Sequence, residues 1–222
     1  MLILFLAAVT TAATAKYDAY IQHEVHPPAW QWSDKLRNGQ IAVEPSKGKG
    51  DLDIGGALIH DWTGRMFIPG VKLNQVVSFL QDFNTHEKFY GPEVVNTRLR
   101  SRDGNVFKID YRLVQSKVIT VVLDVDQTVT YFPVSATRTY SAGEATRIVD
   151  TSGKDRGYLW RLNTYWTLEE KDGGVYLESR TVSLSRTPPL GLGWLFNPIV
   201  SSLPGESLGR LLTATRKAVL SR

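Results

Sequence analysis

Four histidines, one threonine and a cluster of tryptophans are the residues of this chain that raise a chemical question. His23-Glu24-Val25-His26 holds two imidazoles three residues apart around a glutamate. A helical zinc site needs them four apart, as in H-E-x-x-H, together with a third or fourth convergent ligand. This stretch has neither, and it runs into Pro27-Pro28, where no stable helix is expected. His60-Asp61 falls in the middle of an expected strand, where successive side chains point to opposite faces, so the two cannot act as a local dyad. His86-Glu87 follows an expected helix and reads as exposed. The chain has no cysteine, which removes disulfides, thiolate metal sites and a thiol nucleophile. No G-x-S-x-G elbow, P-loop or dinucleotide fingerprint occurs, and Gly191-Leu192-Gly193 is only a fragment of one. No feature of the sequence favours a Ser-His-Asp arrangement. No catalytic residue, metal or cofactor is therefore assigned.

Trp160, Tyr165 and Trp166 lie in YLWRLNTYWTLEEKDGGVYLESRTVSL, two alternating runs joined at Lys171-Asp172-Gly173-Gly174. A two-residue turn at Asp172-Gly173 sets Tyr165 opposite Arg180, Thr167 opposite Glu178 and Leu168 opposite Leu177. Trp160, Leu162, Thr164, Trp166 and Leu168 then share one face, the more apolar, which is assigned inward. The tryptophans wall a core or they wall a pocket, and either use suits their area. Thr215 is the polar interruption in an apolar helical stripe of Leu208, Leu211, Leu212, Ala218 and Val219. Its hydroxyl either bonds back to the Leu211 carbonyl or orients a ligand.

Several elements must position these residues. A short helix over 33–38 ends at Gly39, and strands follow over Gln40–Glu44 and Ala57–Ile68. Leu73, Val76, Val77, Leu80 and Phe83 form an amphipathic stripe after Pro69-Gly70. From Val94 to Leu184 the chain reads as a series of antiparallel strands: Val94–Arg100 and Val106–Val114 about a turn at 101–105, then Lys117–Val125, Thr128–Tyr131, Ala136–Tyr140 and Thr146–Val149, then the quoted hairpin. A proline- and glycine-rich stretch from Thr187 leads to a last amphipathic helix with Pro204 in its first turn. A sheet of this length has one face to bury and the last helix has a matching stripe. Curling the sheet around that helix gives an α+β architecture with room for a ligand between them.

Composition sets the class. Of 222 residues, 42% are hydrophobic and 22% charged, as in a globular domain with a core large enough to fold without cross-links. The net charge of +4 comes from scattered Lys and Arg with no basic block, which argues against nucleic acid as a partner. Met1–Ala15, uncharged and ending in Ala13-Thr14-Ala15, reads as a signal peptide cleaved before Lys16. The expected organisation is therefore a leader over 1–15, a lead-in over 16–38 and one domain over 39–222, exported to the periplasm or secreted.

LRNGQIAVEP and GGALIHDWTGRMFIPGVKLNQVVSFLQDFNTHEKFYGPEVVNTRLRSRDGNVFKIDYRL, with the later YLWRLNTYWTLEEKDGGVYLE and SLGRLLTATRKAV, resemble the START-like (SRPBCC) superfamily, in its polyketide-cyclase and coenzyme-Q-binding branch. The resemblance spans roughly Leu36–Leu220. It implies a helix-grip fold, with a curved antiparallel sheet wrapped around the C-terminal helix over an apolar cavity. It also implies a hydrophobic small molecule as partner: a lipid, quinone or polyketide. Trp160, Leu162, Trp166, Leu208, Leu211, Leu212 and Thr215 are then the expected ligand-binding residues. A carrier that hands such a ligand on is expected to make transient membrane contact. The alternatives are a cyclase or dehydratase, for which Asp110, Tyr111 and Glu178 are the nearest acid–base groups, and an interaction module with a filled core.

Overall fold

The structure, a computed structural model, describes residues 2–48, 50–116, 120–151, 158–187 and 193–222, and of 2–10 and 193–202 the backbone alone. Helix α1 (Leu2–Glu24) leads into a 3-10 turn (Asp34–Asn38). Ser33 caps that turn, and Gly39, at φ 86°, ends it in the left-handed conformation a glycine takes without strain. Strands β1 (Ile41–Pro45), β2 (Asp51–Asp53) and β3 (Ala57–Pro69) precede helices α2 (Leu73–Gln81) and α3 (His86–Tyr90). The chain continues through β4 (Val94–Asp103), β5 (Val106–Ser116), β6 (Thr120–Ser135), β7 (Arg138–Asp150), β8 (Arg161–Lys171) and β9 (Gly174–Arg186), and ends in α4 (Gly193–Leu220).

The strands form one antiparallel sheet in the order β1-β3-β9-β8-β7-β6-β5-β4, with β2 also paired to β3. β3 and β9, far apart in sequence, pair over their full length from Ala57↔Arg186 to Pro69↔Gly174. The β8–β9 hairpin has the expected register, with Tyr165↔Arg180, Thr167↔Glu178 and Leu168↔Leu177. Its turn residues Asp172 and Gly173 both have positive φ, as a two-residue turn requires. One face of the sheet buries Met66, Ile68, Leu168 and Leu177 against Val76, Phe79 and Leu80 of α2 and Leu208 and Leu212 of α4. This concave face, gripped around α4, is the α+β helix-grip architecture.

Two stretches differ from the sequence reading. The four short strands expected between residues 117 and 149 are two long ones. Asp126-Gln127 is a register shift inside β6 and β7 rather than a turn, and Gly143 interrupts nothing because the ladder runs through it. Lys117 to Ile119 lie outside the described residues. The expected lead-in is largely helical: α1 runs to Glu24 and His23 sits in its last turn. It is held there by tertiary packing on the convex face of the sheet, where Ala13 and Tyr17 are buried against Ala57, Ile59, Val182 and Leu184. Proline-free α1 needed only that partner surface, and its local pattern does not show it. α4 also begins earlier than expected, so that Pro204 lies within the helix. Of the proline- and glycine-rich stretch that opens at Thr187, residues 188–192 lie outside the described residues, and α4 begins at Gly193.

Candidate functional site

The concave face is organised by one row of directly opposed residues that crosses the sheet: Val43, Gly64, Ser179, Trp166, Ser141 and Tyr131. Directly opposed residues of antiparallel strands share a face, so all six side-chain positions look toward α4. α4 seats on the row at Gly64. A Cβ there would lie 2.5 Å from Leu212 Cδ1 and 3.1 Å from Leu208 Cγ, so the missing side chain lets the helix approach the backbone. A second close approach brings Gly205 onto the ring of Trp62, where a Cβ would meet the indole at 2.6 Å. These two contacts fix α4 over the β1–β3–β9 side of the sheet.

Beyond Gly64 the row leaves the helix. Trp166 is half-buried and packs at the margin of the main core. Ser141 and Ser179 flank it on the adjoining strands, each 1% exposed, and neither hydroxyl has a hydrogen-bond partner. The next positions up the face carry Thr164, Gln127 and Gly143; Gln127 Nε2 donates to Thr164 Oγ1 at 3.0 Å. A Cβ on Gly143 would collide with both groups. Further along lies a second apolar cluster of Val121, Leu123, Val125 and Ala145, joined by Tyr111, Leu113 and Leu162. The inner face thus has two apolar surfaces with a band of uncharged polar groups between them.

The expected ligand residues separate on this map. Leu208 and Leu212 are buried under Gly64, and Leu211 packs beside them. Trp166 is in the row and Leu162 belongs to the second cluster. Trp160 does not share their face. β8 begins only at Arg161, so alternation does not extend back to Trp160, and its ring packs with the Ala13–Tyr17 cluster on the convex side. Thr215 is fully buried and its hydroxyl donates to the Leu211 carbonyl at 2.8 Å, the back-bond; Tyr90 Oη lies 3.0 Å away and can donate to it. Burial pushes the Tyr90 hydroxyl well above its ordinary value, so it stays protonated.

The titratable groups also redistribute. Asp110 and Glu178 point away from the concave face, Asp110 paired with Arg100 and Glu178 with Arg65 at 2.6 Å. Of the three acid–base groups named from sequence, Tyr111 faces inward, with its hydroxyl 3.3 Å from His86 Nδ1. His86 is not exposed, as its neighbours suggested, but buried at 4% among Phe79, Phe83 and Tyr90. It opens the short helix α3, and packing of α3 under the sheet carries it inside. Burial lowers its pKa to about 4, so the ring is neutral near pH 7. His60 and Asp61 do lie on opposite faces: His60 bonds Asp51 and Ser185, and Asp61 bonds Arg180 and Tyr20. No group of three His, Cys, Asp or Glu among the described residues is placed to hold a metal ion.

Ser141, Ser179, Gly64 and Tyr90 were missed from sequence. Gly64 carried a signal, since a glycine inside a strand marks a bulge or a close approach. Ser141 and Ser179 carried none, because their role depends on which strands become neighbours.

No protein-family model matches the sequence, and no curated protein does. Solved structures do match. A STAR-related lipid transfer protein from Xanthomonas axonopodis aligns over 77% of this chain and 98% of its own, at 18% identity and TM-score 0.55. Human STARD10 aligns over 90% of this chain and 84% of its own, at 16% identity and TM-score 0.54. The Zhui aromatase/cyclase from Streptomyces sp. R1128 aligns over 74% of this chain and 95% of its own, at 8% identity and TM-score 0.58. The chain has the START-like helix-grip fold.

Proposed function

We propose that the chain binds or carries a hydrophobic small molecule on the concave face, between α4 and the rising strands β6–β8. The observation that carries this reading is the pair of buried, unpartnered hydroxyls on Ser141 and Ser179, on either side of Trp166. A buried hydroxyl without a partner costs about 1–3 kcal/mol, and two in one row call for an acceptor or donor that arrives with a ligand. The apolar body of that ligand would lie along Leu162, Leu123 and Val125, where buried area contributes about 25 cal/mol per Å². Likeness in fold to a lipid transfer protein and to an aromatase/cyclase supports a hydrophobic ligand of this kind. A cyclase or dehydratase reading has less support, because Asp110 and Glu178 turn outward.

Export is proposed with this role. Polar contacts that anchor α1 to the sheet come from Lys16, whose Nζ donates to the Ile54 carbonyl at 2.7 Å, and from Tyr17 and Tyr20. Cleavage after Ala15 would keep these contacts in the mature chain and remove the buried Ala13. Among the described residues no helix is long and apolar enough to cross a membrane.

Native mass spectrometry with solvent extraction of the protein from its own host tests the binding role. A reproducible co-purifying lipid, quinone or polyketide is expected. An empty protein that also leaves a hydrophobic fluorescent dye unbound overturns it.

A further inference from the structure

Asp51, His60 and Ser185 come from three different strands and meet on the concave face. His60 Nδ1 lies 2.6 Å from Asp51 Oδ1, and His60 Nε2 lies 2.7 Å from Ser185 Oγ. Register explains the meeting: Asp51 is directly opposite His60 on one side, while on the other Ser185 is opposite Leu58, one inward position from His60. His60 is 3% and Ser185 6% exposed. With Nδ1–H donating to the Asp51 carboxylate, Nε2 is left to accept from the Ser185 O–H, one of the tautomers this geometry admits. This is the tautomer a general base needs in order to remove a proton from a serine.

A second observation lies on the same strand end. Thr187 follows the last residue of β9 and is tied to β3's leading turn by its N–H bond to the Gly56 carbonyl. Its Oγ1 is buried and has no hydrogen-bond partner. A free hydroxyl two positions from the serine, just past the end of the strand, is available to an oxygen of a bound molecule.

We propose that Ser185, His60 and Asp51 form a nucleophilic relay that hydrolyses a carboxylic ester of a hydrophobic acyl chain held on the concave face, an inference that rests on the binding role above. Ser185 Oγ attacks the ester carbonyl as its proton passes to His60 Nε2. The C–O bond to the alcohol then breaks, and the alcohol leaves with the proton from His60. Water, deprotonated by His60, attacks the acyl-serine; the acid departs, and the proton returns to Ser185. Asp51 holds the ring and stabilises its charged form, and Thr187 Oγ1 donates to the substrate oxygen. No cofactor enters the balance.

The test treats the full chain with a fluorophosphonate probe and, separately, with p-nitrophenyl butyrate and p-nitrophenyl decanoate. The expected results are a covalent adduct located on Ser185 by peptide mass spectrometry, and nitrophenolate release that falls about 100-fold or more in Ser185→Ala and His60→Gln. Asp51→Asn, which keeps the shape and removes the charge, lowers release while its unfolding temperature reports any loss of fold. Absence of an adduct on Ser185 in the wild-type chain overturns the relay whether or not the variants fold, as does wild-type release from Ser185→Ala. Binding of a fluorescent fatty acid to the wild-type chain is read in parallel. An adduct on Ser185 without fatty-acid binding supports the relay and sinks the concave-face carrier. Fatty-acid binding without an adduct does the reverse.

Discussion

On the concave side of the β3–β9 pair, α4 rests Leu208 and Leu212 on the bare backbone of Gly64. On the convex side of the same two strands, α1 lays Tyr17 and Tyr20 over Ile59 and Asp61. Each cover is one helix on one sheet face, but the polar groups beneath them are handled in opposite ways. Under α1 they are charged and joined. Asp61, whose side chain is 4% exposed, receives Arg180 Nε at 2.9 Å and Nη2 at 2.5 Å, and Tyr20 Oη at 2.8 Å. Arg180 also reaches the Glu24 carbonyl at the end of α1. On the concave side the buried polar groups are neutral, and Ser141 and Ser179 are left without partners. The convex face satisfies its charged groups internally, and of its buried polar groups the Trp160 indole N–H is left without a partner. Around the row that would admit a ligand some groups are kept waiting and none is charged, because an uncompensated charge in an apolar site costs far more than a hydroxyl; Asp51 lies away from that row, paired with His60.

The convex network is the place to break this contrast most severely. Burial by itself raises the Asp61 carboxyl, but the hydrogen bonds from Arg180, Ser46 and Tyr20 outweigh it and hold the group below the usual carboxylate range. Arg180→Met leaves that carboxylate buried and alone, and is expected to cost about 3–5 kcal/mol in urea unfolding. The double variant Arg180→Met with Asp61→Leu is expected to recover most of the loss, since it removes the orphaned charge as well. A double variant as unstable as the single one would mean that the loss comes from Arg180's own contacts, such as that to the Glu24 carbonyl, and not from an orphaned carboxylate.

The concave side responds to pH through His86 instead. Its folded pKa of about 4 lies below the ordinary 6.5, so between these values the unfolded chain takes up a proton that the folded chain refuses. Stability is therefore full above pH 6.5 and falls as the pH drops toward 4, by about 3 kcal/mol for a shift of this size. The Asp61 contribution has its own window: it is present above the ordinary carboxylate pKa and is lost only as pH falls through the depressed value. Unfolding free energy measured from pH 7 to pH 4.5 should slope in the wild type and flatten in His86→Phe. An unchanged slope in that variant would show that the concave core does not carry the acid sensitivity.

Packing at Gly64 comes next in size. Gly64→Ala drives a methyl against Leu212 Cδ1, the movable end of a leucine, and is expected to cost about 1–3 kcal/mol, measured by thermal unfolding. The same change should weaken hydrophobic-dye binding, because the displaced helix borders the ligand row.

The two faces were not equally legible. The concave side could be read because its rules are local: Leu208, Leu211 and Leu212 repeat at helical spacing, and the turn Asp172-Gly173 sets the β8–β9 register without reference to the rest of the chain. That much gives the fold and half of the candidate site. Trp160 was misplaced because alternation was carried one residue beyond the point where β8 starts. The convex side was hidden. Tyr17 gains its role only from Asn163 and Val182, 146 and 165 residues away, and no periodicity in 2–24 announces a surface so distant. The same reason hid the Asp51–His60–Ser185 contact, which joins positions 9 and 125 residues apart through strand pairing alone. A residue whose chemistry is set by which strands become neighbours is invisible to any window of sequence shorter than the fold.

Deleting one hydroxyl from each face gives the smallest effect but the sharpest one, because the two signs should differ. Tyr17 Oη lies 2.8 Å from both Asn163 Oδ1 and the Val182 carbonyl, so Tyr17→Phe removes a satisfied donor and leaves the acceptor it serves without it. A cost of about 1 kcal/mol is expected. Ser141→Ala and Ser179→Ala remove hydroxyls that have no partner, so they take away a penalty and no bond. The unliganded protein should then be unchanged or up to about 1 kcal/mol more stable, while affinity for the co-purifying ligand falls about tenfold for each hydroxyl lost. Stability gained on the concave face together with affinity lost identifies a site kept unsatisfied for its ligand. Stability lost at Ser141 and Ser179 by as much as at Tyr17 would mean that both faces are closed in the same way, and the concave row would then be core.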